Sequence, residues 1–155
     1  MAWTGSVLSR QAIADMLANA APMDLDSDAW KFALFNNSVT PDKDATAANF
    51  AYGAGTWLAA NEVSQAGQWT AGGITLASKT LTTPSTGVIM FDAADPTSGS
   101  AATLTNVFGG FIYDSTLTAP AGQGIAGISF GGTNSVTAGQ MTILLNTLGI
   151  LRITV

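Results

Sequence analysis

The spacing of apolar positions changes near residue 22. Between Val7 and Ala20, Leu8, Ala12, Ile13, Met16, Leu17 and Ala20 recur at intervals of three, four and seven, while Ser9, Arg10 and Gln11 take the opposite face. That pattern predicts one amphipathic helix, with Ser6 placed to cap its start and Pro22 ending it. Such a helix either covers one end of a β core or reaches out as an arm. In the second case Leu8, Ile13, Met16 and Leu17 are the side chains a neighbouring subunit would meet.

From Trp30 onward the pattern is that of strands and turns. The run WKFALF, Trp30 to Phe35, is a short apolar strand bounded by Asp28 and by the turn-forming NNSVTPD. Residues 45–60 are rich in alanine but interrupted by Gly53 and Gly55, and read as irregular with at most one helical turn. ITLASKTLT (74–82) and TGVIMFDA (86–93) read as two strands joined at Thr83-Pro84-Ser85. One or two further strands lie in ATLTNVFGGFIYDS, with Gly109-Gly110 at a bulge or bend, and another in GIAGISFGG. GQMTILLN and GILRITV are expected to close the fold as a hairpin around Thr147, Leu148 and Gly149. Roughly seven or eight short strands with regular turn signals predict a mainly β chain, an antiparallel β sandwich or small barrel with an N-terminal helical arm. The expected division is residues 1–22 for the arm and 23–155 for the β-sandwich domain.

Composition narrows what such a domain can do. A chain of 155 residues is about one domain, able to remove roughly 68–70% of its unfolded surface from water. Hydrophobic residues make up 47% of it and charged residues only 10%, against roughly 25% charged in ordinary soluble domains. Much of the surface must be Ser, Thr, Asn, Gln, Gly and Ala, which favours close packing against partners. With a net charge of −5 and five scattered Lys and Arg, nucleic acid is not an expected partner. Neither the N-terminal stretch, broken by Arg10, Gln11 and Asp15, nor the C-terminal MTILLNTLGILRITV reads as a signal peptide or membrane span.

The candidate chemistry is thin. The chain has no cysteine and no histidine, which removes thiolate and imidazole ligands and the commonest general base. Asp24, Asp26 and Asp28 alternate like the start of a calcium loop, but Ala29 and Phe35 stand where that loop needs glycine and a carboxylate. The expectation there is a solvated acidic turn partly neutralised by Lys31 or Lys43. Asp92 and Asp95 suit a turn before Pro96 better than a pair of catalytic carboxylates. Ser78-Lys79 would point to opposite faces of a strand, and no GxSxG elbow occurs. No catalytic residue, cofactor or metal is expected, and the protein is not expected to be an enzyme.

The most distinctive stretch is NEVSQAGQWTAGG, Asn61 to Gly73. Glu62 is placed to accept backbone N–H bonds across a loop that turns at Gly67, with Trp69 laid on the core edge. The alternative makes Trp57 and Trp69 contacts to another subunit, since interfaces are enriched in aromatic residues. The order ALFNNSVTPD, YGAGTW, NEVSQAGQWTAGG, FDAAD, GGFIYDS, SFGG and SVTAGQMTILLNTLGILRITV resembles a family of small virion proteins of tailed bacteriophages. The resemblance runs from Trp30 to Val155 and is most specific at Asn61-Glu62-Val63, Gly72-Gly73 and Ile112-Tyr113-Asp114, with Gln68-Trp69 standing where such proteins more often have Gly-Tyr. It implies a structural role on the surface of the virion capsid as a head decoration or cement protein. The partners it implies are the major capsid protein and copies of the chain itself. A tail or neck component and a carbohydrate-binding β sandwich are the alternatives. Contacts would fall on Leu8, Ile13, Met16, Leu17, Trp57, Glu62 and Trp69.

Overall fold

The structure, a computed structural model, describes residues 3–155. Its elements are β1 (Val7–Leu8), α1 (Arg10–Ala18), β2 (Trp30–Phe35), β3 (Glu62–Val63), β4 (Ile74–Thr75), β5 (Thr80–Ser85), β6 (Val88–Asp92), β7 (Ala102–Asp114), β8 (Gly124–Gly139) and β9 (Leu151–Thr154). The larger sheet runs β1-β8-β7-β2-β3, with β4 also on β2, and the smaller runs β5-β6-β9. Every pairing between these strands is antiparallel. The chain is thus mainly β and sandwich-like, as expected.

The apolar run of β2 has a direct structural cause. Strand residues alternate between faces, so a strand covered on both sides is apolar at nearly every position, and in β2 only the half-buried Lys31 departs from this. Trp30, Phe32 and Leu34 point into one core, which they share with Ile112 of β7, Ile125 of β8, Phe91 of β6 and Leu151 of β9. Ala33 and Phe35 point into a second core with Phe111, Tyr113, Phe50, Trp57 and Trp3. The smaller sheet covers the first face, and the irregular residues 36–58 cover the second. Gly110 makes room for this packing, because a Cβ there would lie 2.0 Å from the Phe32 ring.

The N-terminal segment is built into this architecture. Its helix starts later than predicted: the cap is Ser9, whose hydroxyl accepts from Ala12 N at 3.1 Å, and it ends at Asn19 in the left-handed conformation. Ser6 instead accepts from Ser129 N at 3.1 Å, because the residues before Ser9 pair with β8 as β1. Ala12 is fully buried, Ile13 and Met16 pack on the first core, and the Gln123 amide donates to Asp15 at 2.8 Å. Trp3 sits edge-on to Trp57, with 5.8 Å between ring centroids. A free arm is therefore not the conformation seen.

Three strand expectations are also corrected. The predicted strand 74–82 is broken at Ser78, which adopts a φ of 51°, so β4 and β5 belong to different sheets. The β5–β6 turn is Thr86-Gly87, and Pro84 lies within β5, where an edge strand tolerates the missing donor. The closing hairpin does not form. Residues 140–146 dock instead on the segment before β7, with Ile143 N donating to Pro96 O at 3.0 Å and Leu145 N to Asp95 Oδ1 at 2.8 Å. β9 pairs with β6.

Candidate functional site

The stretch Asn61 to Gly73 is a loop pinned to the sheet by one carboxylate. Glu62, on β3, accepts from the Tyr52 hydroxyl at 2.6 Å and from Gly72 N at 2.8 Å. The Tyr113 hydroxyl donates to Gly72 O at 2.7 Å, so both polar groups of Gly72 are held. Tyr52 and Tyr113 stack with planes 9° apart and centroids at 4.8 Å. Burial, then the Glu62 carboxylate, raises both phenols, Tyr113 to about 12 and Tyr52 further. Asn61 donates to Thr56 O at 3.0 Å, tying the same corner to the loop before it.

The double glycine follows from geometry. Gly72 and Gly73 have φ of +85° and +82°, and a Cβ on Gly73 would lie 2.3 Å from Phe32 O. Only glycine lets the loop cross β2 at this distance. Upstream, Trp69 is buried against Phe32 and donates to Phe32 O at 3.2 Å. Gln65 and Gln68 reach across to Thr103 N and Ala101 N, at 2.6 and 3.2 Å.

The motif Ile112-Tyr113-Asp114 divides its work in the same way. Ile112 fills the first core and Tyr113 the second, while Asp114 caps the turn after β7 by accepting from Thr116 N at 2.8 Å and Leu117 N at 3.3 Å. Burial raises the Asp114 carboxyl above the usual range against the Thr116 bonds that lower it, and the nearby Asp28 carboxyl adds to the rise.

These positions change the set of contact residues. Trp57 and Trp69 are both completely buried, so neither presents a ring to a partner. Trp57 stacks on Phe111 at 4.1 Å and meets Phe35 and Phe50 edge-on. Glu62 is engaged by its two donors, while Ile13 and Met16 face the first core. Leu8 and Leu17 remain at the surface, 40% and 83% exposed.

The acidic residues serve turns. Asp28 accepts from Asp24 N at 2.6 Å, and Asp24 accepts from Asp26 N and Ser27 N at 3.2 Å. Hydrogen bonds from Ser27 and Asp26 lower Asp24 to about 2. Lys43, expected beside this turn, pairs with Asp44. Among the described residues no group of three or more His, Cys, Asp or Glu is placed to hold a metal ion.

One surface feature escaped the sequence reading. β8 extends to Gly139, seven residues beyond the predicted strand, and β1 covers its outer edge only at Ala126 and Gly127. Beside the uncovered part lies a groove of about 790 Å³ walled by Ile128, Phe130, Val136, Ile143, Leu145 and Ile150. The period-two signal is weak over GGTNSVTAG because Val136 is the one large apolar residue in that ribbon. No protein-family model, curated protein or solved structure matches the chain.

Proposed function

We propose that the protein is a structural subunit of a tailed-bacteriophage particle, a decoration or cement protein that binds the outer surface of the head and contacts the major capsid protein and copies of itself. The observation that carries this reading is the character of the surface. Leu17, Leu144, Leu148 and Val155 are 83%, 79%, 57% and 90% exposed on a chain with only 10% charged residues. A surface so poor in charge and so scattered with apolar side chains is suited to being covered. The motifs NEV, GG and IYD, which carry the family resemblance, pin loops to the sheet and shape a rigid scaffold. The reading assigns no catalysis to the chain.

Burial of Trp57 and Trp69 counts against a carbohydrate-binding module, which needs exposed aromatic platforms. The test is the copy number of the protein in purified virions relative to the major capsid protein, by quantitative mass spectrometry. Comparable copy number is the expected result. A small fraction would assign the chain to the tail or neck, and absence from the particle would overturn the virion reading.

A further inference from the structure

Natural sheets protect their free edges with charge, proline, bulges or shortness, because an open edge offers unpaired N–H and C=O groups to any other strand. The other outer strands of this fold follow the rule. β5 carries Pro84, β9 carries Arg152, β3 carries Glu62 and has two residues, and β1 and β4 have two residues each. β8 is the exception in length and composition, and only bulges in its pairing with β7 protect it. From Ile128 to Gly139 it carries neither charge nor proline, and among the described residues only β7 pairs with it there. The pairing with β7 is bulged between Ser129 and Asn134 and between Val136 and Gly139, where Gly131 and Ala138 have φ of +74° and +47°, and its register also shifts between Asn134 and Val136, so the open stretch from Gly132 to Thr137 is an irregular ribbon. Thr133, Ser135 and Thr137 are exposed.

We infer that this edge is where two copies of the chain join, β8 against β8 across a twofold axis, with each copy covering part of the other's adjoining groove. A twofold contact places a surface against itself, so every charge on it would meet its own kind. The edge and all residues lining the groove are uncharged, although the chain carries a net charge of −5. That distribution suits self-pairing, whereas recognition of a charged partner would need charge here. Backbone pairing supplies register, and the apolar wall from Ile128 to Ile150 supplies burial that a six-residue ribbon lacks.

The inference takes from the proposed function only self-association, and the two can fail separately. A chain found at high copy on heads but monomeric in solution would keep the first and lose the second.

The chain contains no cysteine, so single-cysteine variants of the full chain give a clean readout. Sedimentation velocity of the wild type should give a mass near twice 15.7 kDa. Placing Lys at both Thr133 and Thr137 should weaken self-association roughly tenfold or more through like-charge contact, with an unchanged circular dichroism spectrum. Under mild oxidation, at least one of Thr133→Cys, Ser135→Cys and Thr137→Cys should form a disulfide-linked dimer, and Thr82→Cys on β5 should not. A wild-type monomer at every concentration, a dimer indifferent to the lysines, or equal cross-linking at position 82 would overturn the inference. So would a monomer whose lysine variant loses head binding, since the edge would then belong to the capsid protein.

Discussion

Replacing Glu62 by Ala separates a scaffold role for the NEV motif from a contact role. The substitution removes two charge-assisted hydrogen bonds, from Tyr52 at 2.6 Å and from Gly72 N at 2.8 Å. Such bonds contribute roughly 1.5–3 kcal/mol each. Glu62 and Tyr52 are only half-buried, so water can replace part of what is lost and the low end applies, giving about 3 kcal/mol for the pair. Tyr52→Phe removes one of the two bonds and should cost about 1.5 kcal/mol. The double variant should cost less than the sum, because both single changes delete the same bond. In a domain of this size about 3 kcal/mol corresponds to a fall in Tm of roughly 6–12 °C. Urea unfolding followed by tryptophan fluorescence measures all three variants. A change in stability under about 0.5 kcal/mol for Glu62→Ala, the range of an ordinary surface residue, would refute the clamp and return Glu62 to the candidate partner contacts.

Gly73→Ala should destabilise by at least about 2 kcal/mol, from left-handed strain plus the clash with Phe32 O, whereas Gly67→Ala, with φ +75° and open space around it, should lose only about 1 kcal/mol; thermal melts compare the two. Trp57→Ala should cost about 3–5 kcal/mol by emptying the second core, measured by urea unfolding. Both phenols are raised in the folded chain above their ordinary value of 10.0. The unfolded chain therefore releases these protons first, and stability present below pH 10 should be lost progressively towards about 12, where Tyr113 titrates. Denaturation at a series of alkaline pH values should show this fall, shallower in Tyr52→Phe. Deleting residues 1–8 removes Trp3 from the second core and β1 from β8, and should lower stability by at least about 3 kcal/mol; an unchanged melting curve would restore the separable arm.

Strand β2 was legible to the residue because an apolar run between an acidic turn and NNS admits one reading. The helix was legible as a helix but not in its bounds, since Ser6 and Ser9 are equally good caps in sequence and only the pairing of Val7 and Leu8 with β8 decides between them. MTILLN has the composition of a strand, and the turn at Thr147-Leu148 exists. Its partner is nonetheless set by Asp95 and Pro96, some fifty positions away, which periodicity cannot report. The site divides likewise. Glu62 accepting N–H bonds and the close approach at Gly72-Gly73 follow from residue chemistry, but Tyr52 and Tyr113 as the other half of the clamp come from separate strands or loops. Trp57 and Trp69 illustrate the limit most clearly, because an aromatic residue in a polar loop reads the same whether it packs inward or waits for a partner.

The alternation along β2 has a further consequence for how the molecule comes apart. Trp30 and Trp69 lie on one side of the central sheet, Trp3 and Trp57 on the other, so the four tryptophans form two built-in reporters separated by a single layer of backbone. Since five residues of the one strand β2 anchor both sides, neither side can loosen without withdrawing support from its opposite. Emission from the two pairs should therefore shift together in one transition, and the sheet acts as a shared keel, coupling regions that never touch.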